Sequence, residues 1–454
     1  MGKPMNDSSV KGPSKFYVYG IASVGALGGF LFGYGLNLTG SAMIFMKDQF
    51  HLSDPQIGFA MASAIIGCML GPIIGGFLSD RVGRKKSLFI AAVLFIVGSV
   101  GTAAPQTIEV FNIFRIIGGL GIGLSSVVSP MYIAEIAPAR IRGRLVLLYQ
   151  LAIGVGALCA VLVAYALSFH HAWRWMFGSG LFPSILFFGL LFFVPCSPRW
   201  LAQKKRTDEA LDILIRVNGP QIAQKELASI KASLTEDKGR FFELFQPGLR
   251  RALLIALVLA VMANWTGFTL VGFYMPLLFQ KSGFGEPDKA ILLTAFIYSV
   301  NILLTLLCVW LVDRVGRRPL YLLSAAGMIV ATFMMGLVFH MSLTGLWVVV
   351  AVLLMLWPHA LGLGALPWLM IAELFPNRVR AKGAALATVA VWIAGFTGTQ
   401  FFPMLNAVFE QHFRTSAGTF WIFTGLNVFL FIFALNQLPE TKGKELEEIA
   451  EFWS

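Results

Sequence analysis

Two motifs that combine carboxylates with guanidinium groups each occur twice in the sequence. "DRVGRKK" over Asp80–Lys86 returns as "DRVGRRP" over Asp313–Pro319. "YIAEIAPARIRG" over residues 132–143 returns as "MIAELFPNRVRA" over residues 370–381. Side chains of these types form charge-assisted hydrogen bonds with one another and interact with the ends of helices. The chemistry that they predict is therefore reversible ion pairing.

The symmetric placement of the four copies indicates a mechanical role for these ion pairs. Pairs at helix ends can form in one conformation and break in another, which suits them to locking a gate. A general excess of positive charge would not place acids and bases at matching positions in both halves. The side chains predicted to act in this way are Asp80, Arg84, Glu135, Arg142, Asp313, Arg317, Glu373 and Arg380.

Enzyme chemistry has no support in the sequence. The four cysteines lie singly, without the spacing of paired thiols or metal ligands. No apolar segment holds a His, Asp and Glu cluster with metal-ligand spacing, or a nucleophile beside a base. The glycines of "GGLGIG" lack the strand and helix that a dinucleotide site requires. We predict that the protein is not an enzyme and uses no cofactor or metal.

The elements that must position these residues are membrane helices. The chain has 454 residues, of which 57% are hydrophobic and 13% are charged, whereas soluble domains have about 25% charged residues. A helix of about 20 apolar residues crosses a bilayer and satisfies its own backbone polar groups. The apolar segments are 17–39, 57–78, 87–105, 108–133, 145–169 and 176–195, and then 252–279, 291–312, 320–340, 347–371, 384–408 and 417–438.

The distribution of Lys and Arg predicts the orientation of these segments. With both termini in the cytoplasm, the outer loops contain only Lys47, Arg174, Lys281, Lys289 and Arg414. Nearly all the other basic residues then face the cytoplasm, as the positive-inside rule requires. The net charge of +12 is thus a topology signal, and binding to nucleic acid is excluded. The short outer loops favour a multi-pass protein of a plasma membrane, of the bacterial inner-membrane type.

The fold class predicted is an all-α membrane protein with twelve transmembrane helices in two parallel six-helix repeats. Parallel repeats are typical of transporters that rock two bundles about a site at the membrane midplane. Between the halves, "SPRWLAQKKRTDEALDILIRV" and "KELASIKASL" have helical spacing with charged faces, which predicts short cytoplasmic helices. These helices either latch the halves together, which we favour, or form a solvated linker. The boundaries predicted are a tail at 1–16, a bundle at 17–196, a linker at 197–251, a bundle at 252–438 and a tail at 439–454.

With these motifs the chain resembles the sugar porter family of the major facilitator superfamily over essentially its whole length. Further motifs of that resemblance are "GGFLFGY" in the first segment, "SPRWL" after the sixth and "LPETKGKELEEI" after the twelfth. The resemblance implies twelve helices, alternating access and a monosaccharide-like solute held mainly by hydrogen bonds. We therefore expect a monomeric carrier whose partners are a small solute and the lipid bilayer.

The resemblance also implies which residues line the transport path. Gln150 and Asn301 match the family's sugar-binding amides, and an amide both donates and accepts hydrogen bonds toward neighbouring hydroxyl groups. Trp368 and Trp392 match its tryptophans, whose faces pack against the C–H side of a sugar ring. The seventh segment departs from the family's pattern of two glutamines, an asparagine and paired tyrosines. The polar residues expected to contribute from the first and seventh segments are Asn37, Asn264, Thr269 and Tyr274.

One acid that the resemblance leads us to expect is absent. Proton-driven members commonly have an Asp directly after "FGY", near an Arg of the fourth segment; here Arg115 is kept, but the matching residue is Gly35. We therefore predict transport of a monosaccharide without the usual proton coupling. Three alternatives remain: a facilitator, coupling through another group such as His359, and an acidic sugar or other organic anion held by Arg115. A proton-coupled sugar symporter is the alternative to the main prediction.

Overall fold

The computed structural model of the chain describes residues 15–138, 140–234 and 241–440. These residues form helices joined by short connections, with no strand among them. The ends of the two predicted tails, residues 1–14 and 441–454, lie outside the described residues, and so does the side chain of Asp313. The all-α class predicted from hydropathy is confirmed.

The first half contains seven helices and the connection contains three more. They are α1 (Lys15–Gln49), α2 (Asp54–Val82), α3 (Arg84–Ala103), α4 (Ile108–Ile136), α5 (Arg142–Ser168), α6 (Trp173–Ser179) and α7 (Leu181–Leu190), followed by α8 (Pro198–Gln203), α9 (Thr207–Asn218) and α10 (Pro220–Leu234). A 3₁₀ turn at Phe241–Phe245 leads into the second half.

The second half repeats this arrangement with eight helices. They are α11 (Leu249–Trp265), α12 (Phe268–Lys281), α13 (Pro287–Val315), α14 (Arg317–His340), α15 (Leu346–Pro358), α16 (Leu366–Glu373), α17 (Asn377–Phe413) and α18 (Ala417–Gln437), with a π-helical turn at His359–Leu363 between α15 and α16. Counting α11 with α12 and α15 with α16, six membrane segments follow one another as in the first half.

Eleven helical stretches of the described chain are long and apolar enough to span a membrane. The remaining segment, the sixth in chain order and predicted at 176–195, is divided into α6 and α7 at Gly180. Pro183 has no backbone N–H to donate to Ser179, so one hydrogen bond of a continuous helix is missing there. With α6 and α7 counted as one segment, the chain has the twelve spans of the predicted fold.

Two other segments are interrupted beside the interior of the molecule. Between α11 and α12 the backbone of Gly267 has φ +107°, a conformation that glycine adopts without the strain of a side chain. Between α15 and α16 the N–H of Gly364 bonds to the carbonyl of His359 at 2.8 Å, five residues back, which widens the turn. Non-helical backbone at membrane depth is tolerated where it lines a cavity, and both breaks do so.

Small residues bring the helices of the first half together. Gly71 on α2 faces Gly123 on α4, and a methyl group added to Gly71 would lie 2.6 Å from the Gly123 backbone. Such contacts let two helix backbones approach closely and pack tightly in a membrane. Outward-facing side chains such as Phe77, Phe182 and Leu303 are large, apolar and exposed, as a surface in contact with lipid tails requires.

The two halves meet along three helix pairs, α2 with α17, α5 with α13 and α1 with α12. Near one end of the molecule the Nζ of Lys47 donates to Oε1 of Gln280 at 3.3 Å. Close by, the Nε2 of Gln400 donates to the carbonyl of Pro55 at 3.1 Å. At this end of the molecule α1 ends and α2 begins. The other end of α2, which contains the first charged motif, therefore lies at the opposite end of the molecule, and the other charged motifs lie there too. We refer to these as the Lys47 end and the charged-loop end.

Candidate functional site

A cavity of about 270 Å³ lies between the two halves. It is bordered by α1 and α5 on one side and by α11, α12, α13, α16 and α17 on the other, together with the π-helical turn. Most of the residues predicted to bind a solute line it. Those brought together here are Asn37, Gln150, Asn264, Thr269, Asn301, Trp368 and Trp392, and His359 joins them.

Gln150 and Asn301 present amides to this cavity from opposite halves. Gln150 on α5 is exposed and Asn301 on α13 is partly exposed, so both can bind a solute. The hydroxyl of Thr305, one helical turn after Asn301, donates to the backbone carbonyl of Asn301 at 2.8 Å and approaches its Oδ1 at 3.4 Å. Because a side-chain amide donates and accepts, the pair can bind adjacent hydroxyl groups from two directions.

Asn37 links the two halves at the cavity wall. Its Nδ2 donates to the carbonyl of Gly33 at 2.8 Å, and its Oδ1 accepts a hydrogen bond from the hydroxyl of Tyr298 on α13. Tyr298 was not among the residues predicted to line the path. It stands three residues before Asn301 in "IYSVN", and residues three apart share a helix face, so this spacing was the available signal.

Asn264 and Thr269 flank the break between α11 and α12. Asn264 donates from Nδ2 to the carbonyl of Val391 on α17 at 2.9 Å, and Thr269 donates across the break to the carbonyl of Ala263 at 3.2 Å. Their donor groups therefore stabilise the interrupted backbone. The Asn264 side-chain oxygen lies beside Gly395 of α17, and Asn264 lines the cavity.

Aromatic side chains form the remaining wall. Trp392 is 7% exposed, and its ring lies 5.8 Å from that of Phe32 on α1, measured between centroids. Its indole Nε1 is buried and has no acceptor within the described part of the chain, so it can donate to a solute. Trp368 is 43% exposed and offers an aromatic face. Phe32, which was not predicted, closes this wall from the first half.

His359 lies at the start of the π-helical turn, where the wide turn places its ring beside the cavity. The ring packs on Phe268 with centroids 4.6 Å apart. Its Nδ1 is buried without a partner among the described residues. Of the residues that line the cavity, His359 and Tyr298 are the titratable ones.

Tyr274 is the one predicted binding residue that the structure places elsewhere. Its hydroxyl donates to the carbonyl of Thr399 on α17 at 2.7 Å, and it borders a second cavity of about 520 Å³ toward the Lys47 end. Gly272, two positions earlier, lines the central cavity. Residues two apart on a helix do not share a face, so Tyr274 must point away.

The charged motif of the first half forms a cluster around the buried pair of Arg84 and Glu135, with Asp80 exposed at its edge. Arg84 donates from Nη2 to Oε1 of Glu135 at 2.9 Å, and from Nη1 to Oδ1 of Asp80 at 3.2 Å. The hydroxyl of Ser197, at the start of the linker, donates to the second oxygen of Glu135. Arg142 binds Glu226 of α10 at 3.3 Å instead. The pairing of Glu135 with Arg84 therefore joins α3 to α4, and Arg142 attaches the linker.

The second half forms a corresponding but looser cluster. Arg317 Nη2 lies 3.5 Å from Oε1 of Glu373, with side chains 16% and 20% exposed. Arg380 donates from Nε to the carbonyl of Phe375 at 3.1 Å. The carboxylate of Glu440 accepts from the backbone N–H of Arg317 at 3.1 Å. An acid at a helix N-terminus is favourable because the unpaired N–H groups carry partial positive charge.

Arg115 lies apart from the central cavity, inside the first half. Its Nη1 donates to the backbone carbonyl of Gly35 at 2.7 Å, and its side chain stands over the ring of Phe177. It borders a separate cavity of about 50 Å³, which is too small for a sugar. The structure thus gives no support to a substrate held by Arg115.

Comparison with known proteins gives consistent matches over nearly the whole chain. The family model described as "Sugar (and other) transporter" matches residues 21–453. The arabinose-proton symporter of Bacillus subtilis (strain 168) is 40% identical over 447 residues, with 96% of this chain and 95% of the relative covered. The D-xylose-proton symporter of Escherichia coli (strain K12) is 35% identical, with 96% of each chain covered.

A solved structure shows the same fold. The inward-open conformation of the xylose transporter XylE from E. coli superposes with a TM-score of 0.83 at 33% identity, covering 96% of this chain and 100% of that one.

Proposed function

This chain belongs to the sugar porter family of the major facilitator superfamily, and we propose that it carries a monosaccharide across the membrane together with protons. It is a multi-pass membrane protein and a transporter of sugars, not an enzyme. Two relatives of known activity are described as symporters of protons with arabinose or xylose. These relatives favour the proton-coupled alternative over our main prediction of transport without the usual proton coupling, which they do not support.

The observation that supports a monosaccharide is the composition of the central cavity. Amides of Gln150 and Asn301 face it from different halves, and the indoles of Trp368 and Trp392 border it. A sugar ring needs both kinds of side chain, since its hydroxyl groups form hydrogen bonds with amides and its C–H face packs on aromatic rings. The volume of about 270 Å³ lies just below the range of about 300–1,000 Å³ for pockets of drug-sized ligands, which suits a small solute.

We propose that the halves alternate about this cavity and that the present conformation is closed at the Lys47 end. The bonds from Lys47 to Gln280 and from Gln400 to Pro55 join the halves there, and Tyr298 joins them beside the cavity. The excess of basic residues at the charged-loop end supports a cytoplasmic location for that end and for both termini. We further propose that the carrier works as a monomer in a bacterial inner membrane.

The proposed proton coupling needs a titratable group other than a carboxylate at position 35. His359 is suited to this role because it borders the central cavity at an interrupted helix. Its protonation would then be sensitive to occupation of the cavity. A facilitator without coupling is the second candidate. The bond from Arg115 to the carbonyl of Gly35 favours it, because a carbonyl in the place of a carboxylate cannot bind and release a proton.

Uptake by the purified protein in proteoliposomes tests the proposal. Labelled L-arabinose, D-xylose and D-galactose are offered with an imposed pH gradient, acid outside, and without it. Symport predicts uphill accumulation of at least one sugar with the gradient, and its collapse with a protonophore. Uptake that only equilibrates under both conditions would establish the facilitator, and failure of all monosaccharides would refute sugar transport by this cavity.

The variant His359→Gln tests the coupling residue. Gln keeps hydrogen-bonding capacity but cannot be protonated, so gradient-driven accumulation should be lost while counterflow exchange of sugar persists. His412→Gln, at the exposed end of α17, serves as the matched control and should retain accumulation. Undiminished accumulation by His359→Gln would assign the proton to another group.

A further inference from the structure

The guanidinium of Arg115 is buried with most of its hydrogen-bonding capacity unused. The residue is 6% exposed, and Nη1 donates to the carbonyl of Gly35. Its Nε and Nη2 are buried and have no acceptor among the described residues. Buried polar groups in proteins are nearly always hydrogen-bonded, and a buried charge is normally paired. Among the described residues, Nε and Nη2 of Arg115 therefore have no acceptor, and the guanidinium has no counter-charge.

The surroundings of Arg115 do not supply that charge. The cavity of about 50 Å³ beside it lies between α1, α3, α4 and the region of α6, and no carboxylate lines it in the described chain. Its polar walls are the hydroxyls of Tyr34, Ser99 and Thr102. Cys68 on α2 is near enough to interact electrostatically with the guanidinium, but a free thiol keeps its proton at neutral pH.

We propose that this cavity binds a small monovalent inorganic anion, chloride under ordinary conditions, as the counterion of Arg115. Two unsatisfied N–H groups of one guanidinium form a fork that can bind a single anion. The hydroxyl of Ser99 can rotate to donate to the same ion, whereas Thr102 already donates to the carbonyl of Gly98 and Tyr34 is hydrogen-bonded to Ser179. A cavity needs room for about one water molecule, or roughly 30 Å³, to hold an ion of comparable size. A water molecule would satisfy the N–H groups but leave the charge unpaired.

The small cavity is lined by Gly35, so a side chain at position 35 would extend into it. A methyl group added to Gly35 would meet only the Cδ1 of Ile122, at 3.4 Å, so the space permits a side chain. A carboxylate at position 35 would belong to the same residue whose backbone carbonyl already accepts a hydrogen bond from Arg115. The bound anion would thus take the place of a carboxylate attached to the chain, and the thermal stability of the carrier would depend on the anion.

The experiment measures thermal unfolding of the purified wild-type protein in detergent, without sugar. Chloride is varied against gluconate, which is too large for the cavity, at constant ionic strength. We expect Tm to rise with the logarithm of chloride concentration above the Kd, and bromide to replace chloride. A Tm that does not depend on the halide at constant ionic strength would overturn the proposal. Because no transport is measured, this outcome is independent of the proposed function.

Two variants at one position identify the site. Gly35→Asp places a carboxylate beside Arg115 and should abolish the dependence of Tm on chloride. Gly35→Asn has nearly the same shape without the charge and should retain the dependence. If both variants respond to chloride as the wild type does, the anion binds elsewhere and the assignment to Arg115 is wrong. If Gly35→Asp fails to fold, the halide series on Gly35→Asn and on the wild type still decides whether a specific anion binds.

Discussion

The hydroxyl of Tyr298 on α13 donates to the side-chain oxygen of Asn37 on α1 and so connects the two halves beside the central cavity. The Nδ2 of Asn37 is held by the carbonyl of Gly33, which fixes the orientation of the amide. Both side chains line the cavity, so a solute that binds Asn37 competes with Tyr298. Binding of a solute at Asn37 would therefore weaken this contact between the halves.

Tyr298→Phe should weaken closure of the Lys47 end. One net hydrogen bond is worth about 0.5–1.5 kcal/mol, so the closed population should fall about fivefold relative to the open one. In a background with native cysteines replaced and Ile57→Cys at that end, a membrane-impermeant maleimide should react correspondingly faster. Tyr165→Phe, whose ring packs on Phe169 and does not line the cavity, should leave the rate unchanged. Equal rates in both variants would mean that the Tyr298 bond does not hold the halves together.

Gln150→Ala should raise the KM for sugar about thirtyfold, because two hydrogen bonds of roughly 1 kcal/mol each are lost from the bound state. The turnover rate should change less, since the amide contributes to binding rather than to the movement of the halves. Gln203→Ala, at the exposed end of α8, is the matched control. Initial rates of labelled sugar uptake over a range of concentrations measure both quantities, and an unchanged KM would reduce Gln150 to a packing residue.

Glu135→Gln should strongly destabilise the protein. Arg84 and Glu135 have side chains that are 6% and 9% exposed, and loss of one partner from a buried pair costs about 3–5 kcal/mol. Arg206→Gln breaks the exposed pair with Glu209, whose side chains are 49% and 55% exposed, and should cost about 0–1 kcal/mol. Thermal unfolding in detergent compares the two. Similar losses in Tm would show that burial does not determine how much these ion pairs contribute to stability.

The linker should be more stable in mild acid because of Glu226. Burial raises the pKa of this carboxyl above its ordinary value, and Arg142 offsets the rise only in part. A raised pKa in the folded state means that the native protein binds the proton more tightly than the unfolded chain. The resulting stabilisation is complete below the ordinary carboxyl pKa and is lost as pH rises through the native value.

Glu226→Gln isolates this effect, since its side chain resembles the protonated acid. The difference in Tm between variant and wild type should be greatest at neutral pH, with Glu226→Gln the more stable, and should shrink toward acid pH. Glu209→Gln, on the exposed face of α9, is the control for general pH effects. A difference that grows toward acid pH would show that attraction to Arg142 outweighs burial.

Much of this protein could be predicted from periodic features of the sequence. Segment lengths and hydropathy indicated the twelve spans, because a bilayer imposes a minimum apolar length. The repeated motifs indicated two parallel halves and, by resemblance, the family. Amides and indoles within apolar segments are costly in lipid and therefore marked the cavity wall. The structure brings all of the predicted binding residues except Tyr274 to that wall.

Other features depended on contacts between distant segments. Tyr298 and Phe32 join the cavity only because α13 meets α1 and α17 meets α1 across the interface between the halves. Tyr274 turns away because the break at Gly267 and the helix period after it set which face of α12 is inward. Arg142 pairs with Glu226 of the linker rather than with Glu135, since Arg84 already occupies that carboxylate.

The sequence by itself determined that the chain crosses a membrane many times, that its halves are related, and that position 35 has no acid. These properties follow from local composition and from residue identity, which no folding can change. Only the tertiary structure decided what replaces that acid: the carbonyl of Gly35 accepts a hydrogen bond from Arg115 beside a small cavity that is separate from the central cavity. Which atoms surround a buried charge depends on how helices pack, because the energy of that charge is set by neighbours that are distant along the chain.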